Sequence, residues 1–250
     1  MTLEVQNLAK RFYDQARGEF FAVEAVSFSC QPGEGFGLLG LNGAGKTTTL
    51  RMIGTLLRPT NGTVVVAGSS ILNDPENARR KLGYLSTDTG IYERLTPREL
   101  LLYFGRLSKY PDDRIHQRVD DLIALFDMKD FADTRCEKLS TGMRQKVSFV
   151  RAIVHDPPVL AFDEPTTGLD VLATQTMHRF IRLCREQGKT IVLSTHMMSE
   201  AEKLCDYIAI IHQGHIRALG TLNDLRQLTG QHHLESIFLA IVGELDGDSF

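Results

Sequence analysis

Apolar residues fall in short runs divided by polar turns. The run "GFGLL" at Gly35 to Leu39 predicts a short buried strand, and Lys46 to Thr55 continues from it as a helix. "GTVVVAG" is a β-branched strand bounded by glycines, and Leu82 to Leu85 predicts another short strand. The middle of the chain changes period. From Pro97 to Phe126, the sets Leu100, Tyr103, Phe104, Leu107 and Val119, Leu122, Ile123, Phe126 repeat at helical spacing, and core packing is the expected role for both. Pro97 suits a first helical turn. Strand and helix alternate again afterwards. "PPVLAFDEP" predicts a strand, Val171 to Gln187 a helix ended by Gly188, and "KTIVLST" a further strand. "CDYIAIIHQGHIRALG" predicts a hairpin turning at Gln213-Gly214, and two short helices close the chain. Such alternation predicts an α/β fold with a mainly parallel sheet covered on both faces, interrupted by a helical insertion.

Composition adds limits. The 250 residues, 42% hydrophobic, suffice for one large domain or a domain with a smaller subdomain. A net charge of −3 gives no support to a nucleic-acid partner. Cys30, Cys136, Cys184 and Cys205 form no C-x-x-C pair and are expected to be reduced core thiols of a cytosolic protein. The N-terminus lacks the apolar stretch of a signal peptide, and no apolar run approaches the ~20 residues of a membrane span. Work at a membrane would need another chain to cross it.

The stretch "GLNGAGKTT" fits G-x-x-x-x-G-K-[ST] from Gly40 to Thr47. Phosphate oxygens need many donors at close range, and side chains would hold them off. Gly40, Gly43 and Gly45 let the backbone approach, with Asn42 and Ala44 between them, and the following helix adds its positive end. Lys46 can neutralise the β- and γ-phosphates of a nucleotide, and the Thr47 hydroxyl, beside Thr48, can ligate Mg²⁺. "VLAFDEP" is a buried strand ending in Asp163 and Glu164, at the strand end where ligands of open α/β sheets sit. Asp163 can hold Mg²⁺ through water, and Glu164 can polarise an attacking water.

Three segments carry a resemblance covering nearly the whole chain. "LSTGMRQKVSFVRA" resembles the LSGGQ signature of the ABC (ATP-binding cassette) ATPases. "DPPVLAFDEPTTGLD" resembles their Walker B strand running to the D-loop at Asp170, and "IVLSTH" their switch-histidine strand ending at His196. The resemblance implies a P-loop NTPase core with an N-terminal antiparallel β part and an inserted helical subdomain, about residues 88–155. The ATPase domain is expected over residues 1–236 and a short tail over 237–250. It also implies two ATPase domains, copies or paralogues, meeting head to tail around ATP. Ser140 and Gly142 would then contact the γ-phosphate across the dimer, and His196 the γ-phosphate and the attacking water. An aromatic near the start should stack on adenine: Phe12 or Tyr13, with Val23 flanking the ring. Most relatives carry Gln where Thr87 stands; Asp88, the nearest carboxylate, is expected to take over part of that Mg²⁺-sensing role through a bridging water, against a role as a solvated loop residue or helix cap. The other histidines, His232 and His233 among them, are expected at the surface.

"LGYLSTDTGIYERLTPRE", "LSTGMRQKV" and "LESIFLAIVG" resemble the sodium-extrusion (Nat-type) ATPase subunits. The implied function is an ATP hydrolase at the cytoplasmic face of the membrane, powering export through a separate permease. Exporters of drugs, lipids or peptides share much of this pattern. The alternative from another class, an ATP-gated clamp on DNA or ribosomes, usually has a long coiled coil or two cassettes, and this chain has neither.

Overall fold

The computed structural model describes residues 1–15, 18–86 and 90–246. The expected positions Thr87 and Asp88 lie outside the described residues. Two sheets organise the fold. Strands β1 (Leu3–Asp14), β2 (Gly18–Cys30), β4 (Asn61–Val66) and β5 (Ser69–Ser70) form an antiparallel sheet in the order β2-β1-β4-β5. A second sheet has the order β10-β9-β3-β8-β7-β6, made of β3 (Gly35–Leu39), β6 (Leu82–Ser86), β7 (Val159–Asp163), β8 (Thr190–Thr195), β9 (Tyr207–His212) and β10 (His215–Gly220). All its pairings are parallel except the β9–β10 hairpin.

Nine helices pack on these sheets among the described residues: α1 (Lys46–Ile53), α2 (Pro75–Arg80), α3 (Pro97–Leu107), α4 (Ile115–Leu125), α5 (Thr141–Ile153), α6 (Val171–Glu186), α7 (Met198–Leu204), α8 (Leu222–Thr229) and α9 (Leu234–Asp246). The strand alternation sorts their cores. Val159 and Ala161 of β7 point with Leu38, Val192 and α1 residues Leu50, Met52 and Ile53 toward the antiparallel sheet. Leu160 and Phe162 point the opposite way, into α3–α6. A third cluster joins Leu39, Ile208 and Ile210 to α7, α8 and α9. No side chain on either face of β7 is exposed, so its end is a rigid platform.

The helical insertion lies between β6 and β7. Thr96 caps α3 through a capping box: its hydroxyl accepts from the Glu99 N–H at 3.2 Å, while Glu99 accepts from the Thr96 N–H at 2.9 Å. Leu100, Val119, Leu122, Ile123 and Phe126 are buried as expected. Tyr103 and Leu107 are not: they are 47% and 61% exposed. Leu101 turns inward beside Leu100 instead, rotating the apolar stripe of α3 and leaving an outer apolar face that Tyr92 joins.

Two other expectations change. The tail proposed to begin at residue 237 starts inside α9, whose Leu234, Ile237, Phe238 and Val242 are buried in the third cluster. Three histidines expected at the surface are not exposed there. His212 is buried in β9, His155 is half-buried, and the His178 side chain is only 13% exposed. The four cysteines are unpaired; Cys205 is half-buried and the others are buried. No helix among the described residues is long and apolar enough to cross a membrane.

Candidate active site

The glycine loop joins β3 to α1. Gly43 and Gly45 have φ of 81° and 107°, dihedrals that a side chain disfavours. A Cβ on Gly45 would also stand 2.6 Å from the Ala22 carbonyl oxygen. Gly45 occupies the cap position of α1 and no side chain caps it, so the first-turn N–H groups face the loop. Asn42 and Gly43 are exposed, Ala44 is buried, and Thr47 and Thr48 are half-buried.

Lys46 is 4% exposed and turns back over the loop. Its ammonium donates to the Gly40 carbonyl at 2.8 Å and the Leu41 carbonyl at 3.1 Å, and lies 3.5 Å from Glu164 Oε1. Burial lowers its pKa; the charges of Glu164 and Asp163 oppose this without cancelling it.

The carboxylates come from the end of β7. Asp163 Oδ1 accepts from Thr47 Oγ1 at 3.1 Å and from Ser194 Oγ at 2.6 Å. Glu164 lies in the left-handed region with φ of 49°, a strained setting for a residue with a side chain. Its N–H is shared between the Ser194 hydroxyl at 3.0 Å and the Ser194 carbonyl at 3.2 Å. This turn aims the carboxylate at the loop. Oε1 is 3.3 Å from His196 Nδ1, and Oε2 accepts from Thr167 Oγ1 at 3.1 Å. Burial raises the Glu164 pKa. Hydrogen bonds from His196 and Thr167 and the Lys46 charge outweigh it, so the net shift is downward. A carboxylate held ionised beside a phosphate-binding loop can accept a proton from water.

The oxygens also suit a hard cation. Ligands at 2.0–2.1 Å and right angles around Mg²⁺ are about 2.9 Å apart. Thr47 Oγ1 donates to Asp163 Oδ1 at 3.1 Å, so a water bound beside Thr47 on such an ion would lie within reach of the Asp163 carboxylate. A cleft of about 340 Å³ opens beside them, lined by Ser86, Asp163, Glu164, Thr141, Gln145 and Ser148.

Lys46, Thr47, Asp163, Glu164 and His196 therefore converge. Other expected residues stand apart and already have local roles. Ser140 is exposed and caps α5 by accepting from the Met143 N–H at 3.3 Å; Gly142 is half-buried in the first turn. Asp170 caps α6 by accepting from the Ala173 N–H at 2.8 Å. Phe12 is half-buried on β1, its ring 6.1 Å from Phe20 and 5.3 Å from the Lys10 ammonium, while Tyr13 is 74% exposed. Val23, expected to flank a base, is wholly buried behind Gly45 and offers no face to a ligand. Ser194 was not singled out in the sequence. Its one signal is a hydroxyl residue that directly follows the apolar run Ile191 to Leu193.

The sequence profile of the ABC transporter family matches residues 23–167. The chain is 39% identical to the ABC transporter ATP-binding protein NatA of Bacillus subtilis (strain 168), over 95% of this chain and 97% of that protein. It is also 39% identical to the Nod factor export ATP-binding protein I of Burkholderia lata, over 85% of this chain and 68% of that one. Among solved structures, it superposes on an ATP-binding subunit of an ABC transporter with a TM-score of 0.88 at 32% identity, covering 97% of this chain and all of that one. A dimeric, post-hydrolysis ATP-binding cassette bound to ADP and Pi gives 0.77 at 26% identity, covering 88% and 98%.

Proposed function

The chain belongs to the ABC transporter family and hydrolyses ATP, and from that premise we propose that it powers export through a separate membrane permease. The observation that carries the chemistry is the convergence of Lys46, Glu164 and His196 beside the Thr47–Asp163 pair.

Lys46 binds the β- and γ-phosphates, exchanging its contact with Glu164 for phosphate oxygens. Glu164 then takes a proton from water as the water oxygen bonds to the γ-phosphorus and the bond to the bridging oxygen breaks. His196 holds the γ-phosphate and orients that water. Thr47 directly, and Asp163 through water, would hold Mg²⁺, which when bound neutralises charge on the phosphate oxygens. Ser140 and Gly142 serve the nucleotide of a second ATPase subunit, and Asp170 lies at that same boundary. The exposure of Ser140 and Asp170, with Val171 and Leu172 74% and 75% exposed, supports a partner there. Phe12 or Tyr13 stacks on adenine.

Tyr92, Tyr103 and Leu107 form an exposed apolar face on the helical insertion, and this face is our candidate contact with the permease. The name of the Nod factor relatives supports export. Sodium is the first cargo to test, from the resemblance of Leu82 to Glu99 to sodium-extrusion subunits. The deciding experiment is Glu164→Gln. The amide keeps the shape but cannot take the proton, so ATP binding should persist while turnover stops. Turnover at the parent rate would mean the base lies elsewhere.

A further inference from the structure

Behind the candidate site, a second line of contacts joins the same two chain segments. At the front, Glu164 meets His196 at 3.3 Å. At the back, Thr166 Oγ1 donates to Glu200 Oε1 at 2.9 Å. Thr166 lies in the connection between β7 and α6, and Glu200 in α7. Both contacts therefore tie the loop that starts at Glu164 to the segment that starts at His196. Shorter links complete a ring. Thr167, next to Thr166, donates to Glu164 Oε2 at 3.1 Å. The Glu200 N–H donates to the carbonyl of Met197, the neighbour of His196, at 3.1 Å.

The two cross-links differ in environment. The His196 side chain is 44% exposed, whereas Thr166 and Glu200 are 6% and 1% exposed. A carboxylate at that depth is costly unless its oxygens are matched. His178 of α6 brings Nε2 to 3.4 Å from Oε1, yet neither that nitrogen nor Glu200 Oε2 has a hydrogen-bond partner among the described residues. The Thr166 hydroxyl is thus the one hydrogen bond to the Glu200 side chain among them. A buried hydrogen bond of this kind admits few alternative geometries, because losing it leaves the carboxylate only the His178 ring nearby.

We propose that Glu200 and Thr166 are positioning residues for ATP hydrolysis: their buried contact sets where Glu164 stands relative to His196. The inference rests on the reading of Glu164 as the base. Neither residue touches the phosphate loop, so the contact governs turnover and leaves nucleotide affinity to Lys46 and Thr47.

Steady-state ATPase of the whole chain tests this, with urea midpoints measured on each variant. Thr166→Val keeps the β-branched shape and removes the donor, while Thr166→Ser keeps the donor. The Val variant should lose about tenfold in kcat with the KM for ATP within about twofold of the parent. The Ser variant should retain about half the parent kcat or more. Glu200→Met removes the acceptor and should lower kcat about as much as Thr166→Val, and combining the two should lower kcat by no more than about a further twofold. A Val variant with parent kcat, a Ser variant as slow as Val, or losses that multiply in the double variant would each overturn the inference. Glu164→Gln runs alongside. Turnover in that variant removes the base reading and this inference with it. An inactive Glu164→Gln beside a parent-like Thr166→Val removes the inference alone.

Discussion

Replacing Ser194 with Ala removes one hydroxyl from the middle of the site. Ser194 is wholly buried and Asp163 is 4% exposed, so water cannot replace the lost group freely. The hydroxyl donates to Asp163 Oδ1 at 2.6 Å and accepts from the Glu164 N–H at 3.0 Å. A hydrogen bond to a charged group contributes about 1.5–3 kcal/mol. Both orphaned groups keep a second partner: Asp163 retains the Thr47 hydroxyl, and the Glu164 N–H retains the Ser194 carbonyl. The lower part of the range therefore applies, about 1.5–2 kcal/mol, or a fall in melting temperature of about 3–8 °C for a chain of this size. Turnover should fall further than stability suggests. The Glu164 N–H anchors a strained turn, and relaxing it swings the carboxylate away from the attacking water. A loss of about tenfold in kcat corresponds to about 1.4 kcal/mol, within reach of that movement. Thermal unfolding and steady-state ATPase on the purified variant measure both quantities. A melting temperature within about 1 °C of the parent together with unchanged kcat would refute the assignment of Ser194 to this role.

Burial depresses the His155 pKa to about 4, against a hydrogen bond with the Leu82 carbonyl that raises it and the Lys189 charge that lowers it further. The unfolded chain binds this proton near pH 6.5, so the stabilisation is complete above that pH and is lost as pH falls toward 4. Urea unfolding of His155→Gln at pH 7 and pH 5 should show a loss of stability smaller than the parent's by about 1–2 kcal/mol; equal losses would contradict it. Ser140→Arg should leave ATP binding to the monomer nearly intact and abolish the ATP-dependent dimer on gel filtration. Because Ser140 also caps α5, Ser140→Ala is the control for stability: it should lose about 1 kcal/mol, and the Arg variant should lose no more than that.

The groups that bind phosphate were legible because each is carried by a contiguous motif. Gly40 to Thr47 and "VLAFDEP" show their chemistry within a few residues, and the strand ends that bring them together follow from an apolar period. The supports behind them were not legible. Ser194 meets Asp163 across 31 positions and Glu200 meets Thr166 across 34, and neither pairing leaves a local pattern. Glu200 offers one faint signal: in α7 it shares a face with Leu204, which is wholly buried. The misread face of α3 has a different cause. Leu100, Leu101, Leu102, Tyr103 and Phe104 form an unbroken apolar run, and periodicity alone does not say which part of such a run turns inward. Val23 illustrates a third limit: a β-branched residue suits the core and a ligand contact equally, and only the structure separates them.

The position of β3 has a consequence for synthesis. This strand carries the phosphate loop, yet it pairs only with β8 and β9. The Thr190 hydroxyl reaches the carbonyl of Gln31, just before β3, across 159 positions of chain. At 5–20 residues per second, the ribosome needs on the order of 10–30 s to deliver that partner. For that interval "GFGLL" waits with both edges open, because neither of the two strands that pair with it has been made. A nascent chain halted between β7 and β8 would hold the Gly40–Thr47 loop and both carboxylates but no sheet to bring them together. Folding on the ribosome thus delays assembly of the nucleotide site until β8 emerges, and the waiting strand marks where a chaperone would have most to protect.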